Sequence, residues 1–197
     1  MIKCILFDLG GVLIDFSDEQ YIKYLAEKSG MGEGKVERLV DPLWKRMDSG
    51  DIHVKSFEKG ASKLLGIGSR EASLLEFYKS RVRSNKPMLQ LALSLSRSYT
   101  LAFLSNVDRT RYGISSGLLG KVPFSYRFVS SVIGLRKPDP KVYRYVLKKM
   151  RMKSSEVLFI DNQTENVAGA RRVGIKSILF TDKSALVEAL KKRGILR

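Results

Sequence analysis

The sequence predicts an α/β protein: a parallel sheet core with helices on both faces, and a helical bundle inserted after the first strand. Three observations carry this reading. Short apolar runs recur at residues 2–7, 99–104, 128–132, 157–160 and 177–180, and helical patterns separate most of the later ones. Strands alternating with helices imply right-handed crossovers, which produce a parallel sheet covered on both faces. Residues 18–85, by contrast, hold no convincing strand and read as four short amphipathic helices able to form a small bundle.

Taken in order, Ile2 to Phe7 are mostly β-branched or bulky and form a buried strand that ends on Asp8. The chain then turns through Gly10-Gly11, where the missing side chains permit φ > 0 and let backbone N–H groups approach a ligand. Asp18 to Lys28 is the first helix, with Tyr21, Tyr24 and Leu25 at helical spacing and Ser29-Gly30 as its stop. Lys35 to Met47 is the second, Asp51 caps a third through about Leu65, and Ser69 with Glu71 starts a fourth that ends near Arg83. Gly30-Met31-Gly32-Glu33-Gly34-Lys35 has the glycines of a phosphate-cradling loop. It follows a helix and lacks the Lys-Ser/Thr ending, so it reads as an interhelical turn.

After Lys86 the pattern changes. Pro87 to about Arg97 is a helix, and Tyr99 to Leu104 is a strand ending in Ser105-Asn106. Phe128 to Val132 is a short strand followed by Gly134 and Lys137-Pro138-Asp139-Pro140. Val142 to Met150 is a helix with Pro140 suited to its first turn. Val157 to Ile160 is a strand ending in Asp161-Asn162, Val167 to Val173 a helix, Ser177 to Phe180 a strand, and Ser184 to Lys192 the final helix.

Composition narrows the class. The 197 residues are 44% apolar and 28% charged, which describes a soluble globular chain with room for one sizeable core. No apolar run approaches the roughly 20 residues that span a bilayer, so no membrane partner is expected. Asp8 interrupts the apolar start and no small-residue cleavage pattern follows, which rejects a signal peptide. The single cysteine, Cys4, lies inside the first strand and reads as a small buried hydrophobe. A cytoplasmic protein is the simplest inference. The formal charge of +16 is unevenly spread: residues 1–86 hold 15 Lys+Arg against 13 Asp+Glu, and residues 87–197 hold 21 against 7. Such asymmetry concentrates anions. The lysines are dispersed with little aromatic interleaving, however, so a nucleic-acid partner is disfavoured and a solvated basic surface preferred.

The step from pattern to site is topological. In a parallel sheet every strand points the same way, so the C-terminal ends share one edge, where ligands bind. Asp8, Ser105-Asn106 and Asp161-Asn162 each follow an apolar strand directly, and Lys137 follows another. Asp8 can be a nucleophile or a metal ligand. The Ser105 hydroxyl and the Asn106 N–H can donate to an anionic oxygen. Lys137 supplies a point charge that stabilises a phosphoryl group. Asp161, with the Asp8 carboxylate and the Gly10 carbonyl, offers hard oxygen ligands suited to Mg2+. The set suits phosphoryl transfer.

Asp8-Leu9-Gly10-Gly11-Val12, Leu104-Ser105-Asn106, Lys137-Pro138-Asp139-Pro140 and Phe159-Ile160-Asp161-Asn162 together resemble the four ordered motifs of the haloacid dehalogenase (HAD) superfamily. The resemblance covers nearly the whole chain. It implies a Rossmann-like core of residues 1–15 and 86–197 and a mobile C1-type helical cap over residues 16–85. It also implies Mg2+-dependent phosphatase activity on a small phosphorylated metabolite through an aspartyl-phosphate on Asp8. By that resemblance Ser105 and Lys137 act with Asp8. Gly10, Gly11, Ser105, Asn106 and Lys137 bind substrate, and Asp8, Gly10, Asp161 and Asn162 hold the metal. Substrate choice falls to the cap, and the oligomeric state is left open.

Two positions depart from the family's phosphatases. Where these carry an acid/base aspartate, this chain has Gly10, which has no proton to give; general acid–base help is typically worth about 10²–10⁴-fold. Asn162 stands where many relatives have a second aspartate, and a neutral ligand weakens metal affinity. These losses motivate an alternative, a catalytically lapsed relative that binds a ligand through the same crevice. A dehalogenase is disfavoured because its relatives place an aromatic residue at position 10. Asp15 and Glu165 are the nearby substitutes for the missing acid, without support from spacing. His53, the only histidine, reads as structural, Trp44 and Tyr78 as packing of the insertion, and Arg136 as outside the site.

Overall fold

The computed structural model describes residues 1–196. Strand β1 (Cys4–Phe7) and a two-residue strand β2 (Ile14–Asp15) bracket the glycine turn. Four helices follow, α1 (Asp18–Ser29), α2 (Glu33–Asp48), α3 (Val54–Leu65) and α4 (Leu74–Arg81). Strand β3 (Arg83–Ser84) then returns antiparallel to β2, so the helical insertion leaves and re-enters the core through a two-stranded ribbon. Two-residue strands carry no periodicity, and the sequence reading has no counterpart for this ribbon.

The rest of the chain alternates: α5 (Lys86–Leu95), β4 (Thr100–Ser105), α6 (Arg109–Ser116), β5 (Phe124–Val129) and the one-turn α7 (Ser130–Ile133). It continues through α8 (Pro140–Met150), β6 (Val157–Asp161), α9 (Thr164–Arg172), β7 (Lys176–Leu179) and α10 (Lys183–Lys192). The five long strands form one parallel sheet in the order β5-β4-β1-β6-β7. This is the α/β architecture expected, with β1 at its centre.

Period-two alternation splits the core in two. Ile5, Phe7, Phe103 and Ile160 face one side, in a cluster continuous with α5, α10 and the helical insertion. Cys4, Leu6, Leu104 and Phe159 face the other, against Val142, Tyr143 and Val146 of α8 and Ala170 of α9. Cys4 packs its Sγ 3.8 Å from the Met150 sulfur, and burial pushes the thiol up to about 12, so it is an inert apolar filler.

Three local expectations need correction. The strand expected at 128–132 runs from Phe124 to Val129, and Ser130–Ile133 turns into α7. β5 is an edge strand that buries Phe124, Phe128 and Val129 while Ser125 and Arg127 stay exposed, so its first half lacks a continuous apolar run. Helix α3 is capped by His53, whose side chain accepts from the Lys55 N–H at 3.3 Å, not by Asp51. Helix α4 starts at Leu74 under a Ser73 cap; Glu71 instead accepts from the Gly68 N–H at 2.9 Å, which holds residues 68–71 in a turn.

Gly169 in α9 lies directly on the segment that carries Lys137. A Cβ there would stand 2.6 Å from the Pro138 carbonyl oxygen and 3.0 Å from the Tyr143 ring. Gly169→Ala should therefore destabilise by about 1–3 kcal/mol, lowering the thermal midpoint by roughly 2–12 °C in a chain of this size. An unchanged melting curve would show that the two segments separate freely.

Candidate active site

The C-terminal edge of the sheet gathers the expected residues. Asp8 follows β1, Ser105 ends β4 and Asp161 ends β6, and all three are buried. Lys137, also buried, reaches between the two carboxylates, with Nζ 2.8 Å from Asp8 Oδ1 and 2.6 Å from Asp161 Oδ2. Its backbone is clamped from both sides: Asn106 Nδ2 donates to the Lys137 carbonyl and the Lys137 N–H donates to Asn106 Oδ1, each at 2.9 Å. Burial opposes the ammonium charge, but Asp161 and Asp8 outweigh it and raise the Lys137 pKa, so the lysine stays protonated.

The two carboxylates are used differently. Asp161 is fully enclosed: Oδ2 takes the lysine, Oδ1 accepts from the Gln163 N–H at 2.8 Å, and Asn166 Nδ2 lies 3.1 and 3.2 Å from the pair. With both oxygens engaged by Lys137, the Gln163 N–H and Asn166, Asp161 is the counter-ion of Lys137 in this arrangement. Asn166, at the start of α9, was not singled out in the sequence. Asp8 Oδ1 accepts from Lys137 and from the Leu9 N–H at 2.7 Å; no hydrogen bond among the described residues uses Oδ2.

The turn after Asp8 divides its groups between structure and site. The Val12, Leu13 and Ile14 N–H groups all converge on the Leu9 carbonyl at 2.8–3.2 Å and leave the Gly10 carbonyl without a backbone donor. Gly11, expected to bind substrate, spends its N–H on the Ile14 carbonyl at 2.8 Å and lies outside the cavity lining. Its role is steric: at φ +75° it lets Asn162 pack so closely that a Cβ would stand 2.4 Å from Asn162 Nδ2. Asn162 Oδ1 is buried there without a hydrogen-bond partner. Among the described residues no cluster of three His, Cys, Asp or Glu side chains is arranged to hold a metal. Any ion here would combine the Asp8 carboxylate with amide and carbonyl oxygens.

Asp8 and Gly10 line a cavity of about 460 Å³ between the sheet edge and the helical insertion, together with Ser105, Asn106, Lys137 and Asn162. The Ser105 hydroxyl makes no hydrogen bond among the described residues and is free to donate into it. Deeper in the interface lies a charged group that sequence reasoning missed. Arg111 of α6, 2% exposed, pairs with Asp108 through Nε, with Asp48 Oδ1 at 3.0 Å and with Asp18 Oδ1 at 3.3 Å. Its guanidinium also lies over the Trp44 ring at 5.1 Å. Trp44 and Tyr78 are buried and packed as expected, and they line the cavity as well. Arg136, read as outside the site, also lines it; Nη2 is 3.8 Å from Asp48 Oδ2 and Nε is buried with no partner. Spacing along the chain gives no signal for an ion cluster assembled from α1, α2, α6 and a loop.

Residues 2–174 match the family model of the haloacid dehalogenase-like hydrolases. The chain belongs to this family. It is 37% identical to a sesquiterpene phosphatase of Aspergillus oryzae over 96% of this chain and 95% of that one. It is 24% identical to a D-ribitol-5-phosphate phosphatase of Bacteroides thetaiotaomicron, over 90% of this chain and 91% of that one. In fold it resembles a HAD family enzyme of Bacteroides thetaiotaomicron solved with magnesium and inorganic phosphate. The TM-score is 0.76 at 23% identity, covering 94% of this chain and 99% of that one. The chain spans only 36% and 21% of the length of other curated relatives it matches, a drimenol cyclase of Aspergillus calidoustus and a bifunctional epoxide hydrolase of Rattus norvegicus. No helix among the described residues is long and apolar enough to cross a membrane.

The buried edge of this HAD hydrolase makes stability depend on pH. Burial pushes the Asp8 carboxyl from an ordinary 3.8 up to about 7, with Lys137 pulling it down and Asp161 pushing it further up. The folded, metal-free protein then keeps a proton between about pH 4 and 7 that the unfolded chain has lost, so this contribution is full at low pH and declines as pH rises through the window. Asp8→Asn should remove that part of the decline, read as a smaller difference in urea midpoint between pH 5 and pH 7.5 in EDTA. A difference equal to wild type would place the titration elsewhere.

Proposed function

We propose that the protein is a Mg2+-dependent phosphatase of a small phosphorylated metabolite, working through an aspartyl-phosphate on Asp8, with residues 16–85 as its cap. The observation that carries this is the state of Asp8: one oxygen pinned by Lys137 and the Leu9 N–H, the other unengaged on a residue that lines the cavity. Fixing one oxygen orients the other for in-line attack. The two phosphatases that resemble the chain over most of its length support the same reading.

In this reading Asp8 Oδ2 attacks phosphorus as the bond to the leaving oxygen breaks. The Ser105 hydroxyl and the Asn106 N–H donate to the phosphoryl oxygens, and Lys137 offsets the charge that accumulates beside two carboxylates. Water then attacks the same phosphorus, and the bond to Asp8 breaks to regenerate the carboxylate. Mg2+, when bound, supplies further neutralisation of phosphoryl charge. The residues fit such an ion: Asp8, the Gly10 carbonyl and the orphaned Asn162 Oδ1 would hold it, since an unpaired buried acceptor is costly unless something satisfies it.

Two measurements test this. Turnover of p-nitrophenyl phosphate should require Mg2+, vanish in EDTA and vanish in Asp8→Asn; equal activity in that variant would remove Asp8 from the mechanism, and no turnover by the wild type would leave a ligand-binding relative as the better reading. Asn162→Asp adds a negative ligand and should lower the Mg2+ concentration that gives half-maximal rate. No change in a metal titration would place the ion away from Asn162.

A further inference from the structure

Position 10 carries no proton donor, yet the cavity is rich in carboxylates. Among those that line it, only Asp8 and Asp48 are buried; Glu165 lines it but is exposed, and Asp15 is exposed and lies outside it. Asp48 ends α2 and is anchored against the catalytic edge, although it belongs to the insertion. Ser130 Oγ donates to the Asp48 carbonyl and accepts from the Val107 N–H at 3.0 Å, one residue beyond Asn106. Its side chain meets Arg111 at 3.0 Å and, at 3.8 Å, Arg136, whose chain neighbour Lys137 holds Asp8.

The charge count around it is uneven. Asp18, Asp48 and Asp108 share two guanidinium groups, Arg111 and Arg136, which leaves one negative charge in excess in a largely buried cluster. A proton is the simplest way to neutralise it, since like charges out of water cannot all ionise freely. Arg111 is divided among three carboxylates and Arg136 approaches Asp48 only loosely. Asp18 is half exposed to solvent and Asp108 lies outside the cavity lining. Asp48 is therefore the member that is both buried and part of the cavity lining. Burial pushes its carboxyl up to about 7, against the pull of Arg111 and Arg136 and with Asp18 and Asp108 adding to the rise.

Building on the phosphatase reading above, we propose that Asp48 is the general acid and base of this enzyme, supplying from the cap the proton that Gly10 cannot. As the bond from phosphorus to the leaving oxygen breaks, that oxygen takes the Asp48 proton and departs as the neutral alcohol. The resulting carboxylate then accepts a proton from the water that attacks the aspartyl-phosphate. Inorganic phosphate leaves, the electron pair of the broken bond returns to Asp8, and Asp48 is protonated again.

The test compares leaving groups, from p-nitrophenyl to simple alkyl phosphates, in Mg2+. The wild-type rate should depend weakly on the leaving group, because the departing oxygen is protonated. A steep dependence, with turnover still abolished in Asp8→Asn, would remove the role of Asp48 and keep the phosphatase. Absence of turnover on every ester would remove both. Asp48→Asn keeps an acceptor for Arg111. Its kcat/KM, which reports the steps up to leaving-group departure, should fall by about 10²–10⁴-fold on alkyl phosphates and far less on p-nitrophenyl phosphate, whose leaving group needs no proton. Breakdown of the common aspartyl-phosphate should slow on both, and the basic limb of the pH profile should be lost. Equal losses in kcat/KM on both classes would make Asp48 only a tie between insertion and core. Gly10→Asp in that background should restore alkyl turnover. Gly10 has no positive φ, and the new Cβ would stand 3.3 Å from the Phe16 carbonyl oxygen, a contact that a small shift relieves. Failure of that rescue in a folded protein would also count against the proposal. Should Asp48→Asn fail to fold, the wild-type series alone decides.

Discussion

Everything at the C-terminal edge of the sheet is arranged around one ammonium group between two carboxylates. The sheet order places β1 beside β6, so Asp8 and Asp161 leave adjacent strands at the same level and are buried together. Two carboxylates so placed repel and resist ionising unless a cation joins them. Lys137 is that cation, and removing one partner of such a buried set typically costs about 3–5 kcal/mol. The need to hold its Nζ within 2.8 Å of both acids explains the surrounding detail. Asn106 clamps its backbone, Asn166 and the Gln163 N–H hold Asp161, and Gly169 lets α9 lie against the Pro138 carbonyl.

That constraint sorts the acids at the site into separate tasks. Asp161 pairs with the lysine and also accepts from the Gln163 N–H and Asn166. Asp8 gives one oxygen to the same lysine and keeps the other. The charge distribution fits this division. The chain carries +16, yet the cavity lining holds eight of its 20 acidic residues against three basic ones. A basic exterior raises the local concentration of phosphorylated ligands, while an acidic interior suits a divalent cation and proton transfer.

The core and the gathering of Asp8, Ser105, Lys137 and Asp161 at one sheet edge were legible in the sequence because their signals are local. An apolar run followed at once by Asp8, Ser105 or Asp161 states both a strand and its end, and the parallel sheet does the rest. Lys137 was legible through its position after a strand, although that strand's bounds were misplaced by the weak alternation of an edge strand. Two kinds of information were not legible. One is the spending of valences: Gly11 and Asp161 look available in sequence, and only hydrogen-bond partners reveal that the first is tied to Ile14 and the second to Lys137 and Gln163. The other is assembly across the insertion. Asp18, Asp48, Arg111 and Arg136 come from four separate segments, each an ordinary charged residue of a solvated helix or loop until packing buries the guanidinium of Arg111.

The placement of that second cluster bears on how an insertion can take part in chemistry that the core cannot complete. A cap joined only through the β2–β3 ribbon would be free to swing, and a group carried on it would be poorly positioned for proton transfer. Here the end of α2 is fixed at two further points, by the Ser130 hydroxyl on the Asp48 carbonyl and by Gly50, where a Cβ would stand 2.5 Å from the Ser131 carbonyl oxygen. Both contacts come from α7, the turn that follows β5. The same edge of the sheet that orients Asp8 therefore also sets the position of Asp48, and Arg111 holds the two parts together through carboxylates drawn from each. If Asp48 carries the proton, the absence of an acid at position 10 is a change in which segment supplies it, and not by itself a loss of the means to move one.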